Sequence, residues 1–274
     1  MKYLITIIFV VLSSISVAQT TGEKPLFTSL DEAILKPQNV YRLAITDSKE
    51  LNKLEQIGKF ENLEYLSLKN DGLKTLPSQL FSLRNLKVLD LSGNPLENLP
   101  TEFSKLVALQ ELYLNDDVKL DIEQAIDVVS KLPELRVLTL RNDSLVYLPE
   151  TISKLNALEL LDLGGNKLMD LPNSIIALEN LEELYLDHES SLDFRSAFLL
   201  LGGLPRLKVL HLEGNALSSL PETINKLKSL EKLFLNENEL SIVDLKRNEL
   251  ERLMLVDVKD NPIQINSMQY LERT

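Results

Sequence analysis

The chain has no cysteine. That removes disulfides, thiolate metal sites and thiol nucleophiles together, along with the lipid-bearing cysteine of a bacterial lipoprotein. Oxidising and reducing surroundings are therefore equivalent for its fold. Aromatic residues make up only 5% of the 274 residues, against 44% apolar overall, so the interior has to be aliphatic. Cationic side chains are also short in number: 29 Lys and Arg face 41 Asp and Glu, a formal net charge of -12. Such a chain repels phosphate and lacks the basic stripe of a nucleic-acid surface, so no nucleic acid is expected as a partner.

One uninterrupted apolar run stands at the start. Met1-Lys2-Tyr3 carries a positive charge, Leu4 to Leu12 is apolar except for Thr6, and Ser16-Val17-Ala18 precedes Gln19 with the small residues a signal peptidase requires. Residues 1–18 are expected to be a cleaved secretory signal. An uncleaved anchor would need about 20 apolar residues, and this run stops at Ser13-Ser14. Cleavage leaves no membrane span and an exported protein, whether periplasmic, surface-bound or secreted. The short leader ending Val-Ala-Gln resembles those of Gram-negative bacteria.

Leucine is abundant and regularly placed. Leu63, Leu86, Leu109, Leu135, Leu158, Leu181, Leu207, Leu230 and Leu253 each open a phrase L-x-x-L-x-L-x-x-N/D-x-L, and most successive openings are 23 residues apart. Residues 86–94 read LKVLDLSGN, 158–166 LELLDLGGN and 207–215 LKVLHLEGN. A degenerate phrase with Val40, Leu43 and Ile45 precedes them by one period, 63 - 40 = 23. A recurrence of 20 to 29 residues with this phrase means one short strand and one return segment per unit. The chain resembles the leucine-rich repeat family from about Val40 to Asn261. The resemblance implies an α/β solenoid of about ten coils, arc-shaped, with a parallel concave sheet on the order of 45 Å long and short turns and helices on the convex side. Repeats of 23 residues with Leu-Pro are similar to the Ras-scaffold and plant intracellular Ras-group class, which implies a non-enzymatic adaptor binding proteins on its concave sheet. Those relatives work in the cytosol, so their partners do not carry over to a chain with a signal peptide.

The ends of the solenoid need covers, because a terminal coil otherwise leaves its leucines in water. Residues 19–39 are expected to be a linker and capping helix, in which Ser29 and Glu32 form a capping box, Leu30, Ala33 and Ile34 share a face, and Pro37 stops the helix. Residues 40–262 hold the repeats and 263–274 a C-terminal cap, with a short helix over Ser267 to Arg273.

Return segments come in two kinds. Five contain Leu-Pro, at Leu76-Pro77, Leu99-Pro100, Leu148-Pro149, Leu171-Pro172 and Leu220-Pro221, where proline denies a backbone donor and favours a single tight turn. Two coils are longer, 26 residues, from Leu109 and from Leu181. There Ile122, Ile126 and Val129, and likewise Phe194, Phe198 and Leu201, fall at helical spacing behind Asp121 and Asp193 as N-caps. The order 23-23-26 occurs twice, so residues 63–134 are echoed 72 places later by 135–206. Asp90, Glu111, Tyr113, Asp121, Ala125 and Pro133 reappear as Asp162, Glu183, Tyr185, Asp193, Ala197 and Pro205, which marks a duplicated three-coil block, and a third copy begins at Leu207.

The phrase also locates the surface. Positions 1, 4, 6 and 11 point inward, and the Asn or Asp at position 9 is expected to satisfy turn backbone. Positions 3 and 5 face outward on the concave side. Tyr65, Tyr113, Tyr185 and Phe234 are candidate anchors there, because exposed aromatics on a strand serve binding better than solubility. Around them lie Asp90, Glu111, Asp116, Asp162, Glu183, Asp187, His188, His211, Glu213 and Glu237. An acidic trough with aromatic anchors predicts a protein or peptide partner that is basic or partly apolar. Alternatively, the rings stack on a saccharide or cell-wall fragment while the carboxylates accept its hydroxyls. The plainer alternative is that tyrosine favours strands and acids keep the surface soluble.

Other chemistries lack their parts. No cofactor and no metal are expected: His188, His211 and Asp187 are too few donors for a zinc site. Asp90 and Asp162 stand three coils apart, about 14 Å, beyond the reach of a carboxylate pair. Gly164-Gly165-Asn166-Lys167 has no Gly-Lys-Ser/Thr ending, and no serine sits in a G-x-S-x-G elbow.

Overall fold

Each leucine phrase makes three residues of strand centred on the leucine at position 4, since only that side chain of the three turns inward. Leu66, Leu89, Leu112, Leu138, Leu161, Leu184, Leu210 and Leu233 are all at most 1% exposed. The computed structural model describes residues 24–45, 48–246 and 248–263. The signal segment 1–18 and the helix expected over 267–273 lie outside them.

The strands of the coils are β2 (Arg42–Ala44), β3 (Tyr65–Ser67), β4 (Val88–Asp90), β5 (Glu111–Tyr113), β6 (Val137–Thr139), β7 (Leu160–Asp162), β8 (Glu183–Tyr185), β9 (Val209–His211), β10 (Lys232–Phe234) and β11 (Leu255–Asp257). They pair in parallel and in chain order, as expected of a leucine-rich repeat solenoid, in one open sheet of eleven strands. The additional strand is β1 (Leu26–Phe27), which lies in the segment expected to be linker and pairs with Arg42 and Leu43 of β2. It covers the backbone edge that the first coil would otherwise expose.

The N-terminal helix is shorter than its pattern suggests, α1 (Leu30–Ala33), and the capping box does not form. Ser29 makes no side-chain bond to the helix; its hydroxyl donates to Glu50 Oε1 at 2.8 Å, and the Leu30 N–H donates to Glu50 Oε2 at 2.7 Å. A carboxylate from the next coil thus takes the first helical N–H and turns the Ser29 hydroxyl away from the helix, tying the cap to the solenoid rather than to itself. Leu30 and Ala33 are fully buried and Ile34 packs against the core.

On the convex side every Leu-Pro produces a single 3-10 turn starting just after the proline: Ser78–Ser82, Thr101–Lys105, Glu150–Lys154, Asn173–Ala177 and Glu222–Lys226. The two long coils carry α2 (Ile122–Val129) and α3 (Phe194–Leu201). Asp121 accepts from the Gln124 N–H at 3.1 Å, and Asp193 from the N–H groups of Arg195 and Ser196 at 3.0 and 3.4 Å, so both N-caps are made.

After each strand from β3 to β11 the chain turns through the left-handed region at position 8. Asn70, Gly93, Asp116, Asn142, Gly165, His188, Gly214, Glu237 and Asp260 have φ between +56° and +72°. Six of these nine are not glycine, a conformation that costs roughly 1 kcal/mol each, so something must hold the turn. Position 10 is also left-handed at Gly72, Ser144 and Ala216, one residue per block at intervals of 72. The block repeat is therefore present in the backbone as well as in the side chains, and it extends into the third copy.

Position 9 holds the turn. Asn166 Oδ1 accepts from the N–H groups of Asp143 and Leu145 in the preceding coil, at 2.9 and 3.1 Å, while its Nδ2 donates to the carbonyls of Leu140 and Leu163 at 2.8 and 2.6 Å. Asn94, Asn238 and Asn261 likewise bond across coils. Asp71, Asp117 and Asp143 stand in the same place without an amide to donate. All three are under 8% exposed and each has a carboxylate oxygen with no hydrogen-bond partner. Burial raises their carboxyls, Asp71 to about 6 and Asp117 and Asp143 to about 7. Glu189 completes the column, fully buried, taking the N–H of Leu168 at 2.8 Å and that of Asn166; burial raises it to about 7 as well.

A carboxyl whose folded value is raised holds a proton that the unfolded chain releases. Its contribution to stability therefore declines as pH rises from about 4 to about 7. Asp143→Asn supplies the missing donor without the charge. Urea denaturation should show it stabilised by about 1 kcal/mol at pH 8 and by less at pH 5; equal or negative changes at both pH values would contradict this role.

Candidate functional site

In-register pairing lines the outward side chains into two rows along the concave face. Position 3 gives Arg42, Tyr65, Val88, Glu111, Val137, Leu160, Glu183, Val209, Lys232 and Leu255. Position 5 gives Ser67, Asp90, Tyr113, Thr139, Asp162, Tyr185, His211, Phe234 and Asp257. The expected site residues occupy these rows, but as two groups rather than one trough. Asp90, Glu111 and Tyr113 meet on β4 and β5; Asp162, Glu183, Tyr185, Asp187, His211 and Phe234 meet on β7 to β10. Val137, Thr139 and Leu160 lie between the groups. Tyr65 stands apart on β3, with the guanidinium of Arg42 5.6 Å above its ring.

The second group is closed on itself. Tyr185, His211 and Phe234 form a ladder of stacked rings, with centroids 3.8 Å and then 4.5 Å apart and planes 6° from parallel. Glu183 lies 3.2 Å from His211 Nε2 and Glu213 3.0 Å from Nδ1. Burial alone would lower the imidazole, but the two carboxylates outweigh it and raise His211 above its ordinary value. Burial would likewise raise Glu183, and His211 with the Tyr185 hydroxyl brings it below. The Tyr185 hydroxyl donates to Glu183 Oε1 at 2.7 Å, and burial followed by that carboxylate pushes the phenol upward.

A cation that the leucine pattern does not reveal organises the rest. Arg141, at position 7, donates from Nη1 to Asp162 Oδ1 at 2.9 Å and to Asp187 Oδ1 at 3.0 Å, and from Nη2 to Asp187 Oδ2. Asp187 is 4% exposed; burial would raise its carboxyl, yet Arg141 and His188 hold it below the usual range. Burial keeps Asp162 raised in spite of Arg141. The bridge crosses the intervening coil over Gly164, where a Cβ would collide with both the guanidinium and the Asp187 carboxylate. Written down the sheet, position 7 reads Arg141, Gly164, Asp187, a large–small–large order that signals the bridge once the columns are aligned. His188 lies against Asp187, with Nδ1 2.9 Å from Oδ2, and is not drawn into the His211 cluster.

The first group is open. The Tyr113 hydroxyl donates to Glu111 Oε2 at 2.7 Å, and burial, then Glu111, raises the phenol. Asp90 accepts only the Ser92 N–H, at 3.0 Å, and neither Asp90 nor Glu111 has an ion pair among the described residues. Asp116 accepts from Asn142 Nδ2 at 3.1 Å, and Glu237 lies on an exposed turn. Among the described residues no set of three His, Asp or Glu converges as metal donors, and no helix is long and apolar enough to cross a membrane.

Comparison with known proteins agrees with the repeat fold. The family described as leucine-rich repeat region matches residues 35–126 and 120–198, and that described as leucine rich repeats in two copies matches residues 205–247. No curated protein sequence matches the chain. Among solved structures, the Toll chain of the Drosophila Toll–Spatzle complex is similar at 18% identity and TM-score 0.64, over 86% of this chain and 35% of that one. Two internalins of Listeria monocytogenes are similar as well. The internalin inlF has 20% identity and TM-score 0.58, over 89% of this chain and 75% of that one. The internalin inlC2 has 21% identity and TM-score 0.56, over 73% of this chain and 82% of that one. These likenesses concern the fold, and the chain spans about a third of the Toll chain's length.

Two outcomes follow from the closed group. Because the folded value of His211 is raised, its charged form stabilises the protein below about pH 6.5, and that contribution is lost as pH rises through the folded value. An NMR titration should place the imidazole above about 6.5 in the parent and lower in Glu183→Gln; an unchanged value in the variant refutes the bracket. Arg141→Met leaves Asp187 buried without its cation and should cost about 3 kcal/mol in chemical denaturation. Gly164→Ala should destabilise in the same direction.

Proposed function

Because the chain belongs to the leucine-rich repeat family, whose domains generally mediate protein–protein interaction, we propose that it is a non-enzymatic module offering its concave sheet to a protein or peptide. The observation that carries this is the pair of outward rows on β3 to β10. Rings and carboxylates stand there half-buried beside Val88, Val137 and Val209, a mixture that suits a partner both basic and partly apolar. In the Toll–Spatzle structure a chain of similar fold is in complex with a protein. The 3-10 turns after Leu-Pro support the 23-residue class on the convex side.

Recognition of a saccharide has less behind it. Tyr185 and Phe234 each give a ring face to His211, and the hydroxyls of Tyr113 and Tyr185 are engaged by Glu111 and Glu183, so the surfaces a sugar would stack on are partly used. Residues 1–18 support export, which the mass of the mature N-terminus tests: a chain retaining Met1 rules out cleavage.

Capture of bound molecules from the native source should be lost, by tenfold or more, on Tyr113→Ala with Tyr185→Ala and Phe234→Ala. Undiminished capture by that folded triple variant places the site elsewhere. Binding to a basic protein should also weaken as salt rises, since these charges are partly exposed; binding to a neutral glycan should hardly respond.

A further inference from the structure

The block duplication provides an internal comparison. Subtracting 72 from each member of the closed group gives its counterpart in the first block: Asp162 becomes Asp90, Glu183 becomes Glu111 and Tyr185 becomes Tyr113. The tyrosine–glutamate hydrogen bond is the same in both, at 2.7 Å. The cations are not. Arg141 corresponds to Lys69, which makes no ion pair among the described residues, Gly164 to Ser92 and Asp187 to Asn115, while His211 corresponds to Thr139. Around Tyr185 three concave carboxylates are matched by cations of the chain itself: Arg141 serves Asp162 and Asp187, and His211, from the first coil of the third copy, serves Glu183. In the first block the same two carboxylates and the same ring have none among the described residues.

A second observation points to the same place. Thr139, in register with Tyr113 on the neighbouring strand, is 5% exposed, and its Oγ1 is buried without a hydrogen-bond partner. An unsatisfied buried hydroxyl costs about 1–3 kcal/mol, and here it stands where the second block places the ring of His211. Val88 and Val137 flank Glu111 in the adjacent row.

We infer that the slot formed by Glu111, Tyr113 and Thr139, with Asp90 beside it, takes the guanidinium of an arginine from the protein partner, in the place that His211 fills beside Tyr185. This rests on the concave face being the binding surface. A guanidinium fits because it is planar and can lie against the Tyr113 ring on its Thr139 side, as His211 lies against Tyr185, while its edge donates to both oxygens of Glu111 and Asp90 adds its charge from the other side of the ring. An ammonium is a point charge and serves fewer of these acceptors in one pose. The flanking valines favour apolar neighbours beside that arginine.

The test uses a five-residue probe, acetylated and amidated, with arginine between two valines, titrated against the full chain. Parallel probes carry lysine or citrulline, the neutral isostere, in place of arginine. The arginine probe should bind at least fivefold more tightly than either. Asp90→Asn with Glu111→Gln should erase the preference. So should Thr139→His, which gives Glu111 and Tyr113 the imidazole that His211 gives Glu183 and Tyr185; circular dichroism verifies that both variants are folded. Equal binding of the three probes, no binding of any, or a preference that survives Asp90→Asn with Glu111→Gln overturns the inference. A captured partner that is lost on the triple aromatic substitution but indifferent to Asp90→Asn with Glu111→Gln also overturns it, while leaving the concave-face function standing.

Discussion

From β3 onward every coil reverses its chain straight after a three-residue strand, and it does so through a left-handed residue whose turn cannot be satisfied within its own coil. The side chain at position 9 resolves this by bonding to the preceding coil as well as its own, as Asn166 does through both its oxygen and its nitrogen. Coil spacing, strand register and the outward rows all follow from that link. A displaced turn would shift which side chains stand side by side. The leucine layers then add roughly 2 kcal/mol for each fully buried side chain, contributed between neighbouring coils rather than around a central core.

That column also carries the molecule's main electrostatic peculiarity. Where position 9 is aspartate or glutamate the donor half of the task is lost unless the carboxyl keeps its proton, while Asp143 and Glu189 keep the acceptor half. Asp71, Asp117, Asp143 and Glu189 are accordingly raised by burial, in an acidic chain that would otherwise lose stability through charge repulsion on its own surface. The concave face deals with its acids differently, by recruiting cations. Arg141 spans two coils and His211 is clasped between two rings and two carboxylates. The result is a charge-matched group from β7 to β10 and a group at β4 and β5 whose carboxylates make no ion pair among the described residues.

Much of the architecture was legible along the chain because its determinants are local. Proline after leucine denies a donor within the same coil, so the five 3-10 turns begin where the sequence places them. Helical spacing behind Asp121 and Asp193 depends on residues within eight positions of each other, and both helices formed with both caps. The N-terminal cap failed as a local prediction for the complementary reason. Ser29 and Glu32 are correctly spaced for a box, but Glu50, brought in by the next coil, binds the Ser29 hydroxyl and the Leu30 N–H and draws the serine away from the helix. Strand β1 was illegible as well, because two residues have no periodicity and pair only once β2 offers an edge.

The sequence by itself determined the coil period, which side chains point inward, where helices replace turns, and that a three-coil block was duplicated, since each of these is a relation between residues one or two turns of the pattern apart. Only the tertiary structure decided which outward residues are partnered. Arg141 and Asp187 are separated by 46 positions, and their contact requires stacking in register and a glycine at residue 164 to clear the path. The ring ladder likewise requires Tyr185, His211 and Phe234 to be carried to matching heights by three successive strands. Charge and aromaticity are properties of single residues. Whether they are satisfied within the chain or left for a partner depends on distances that exist only after the coils have stacked.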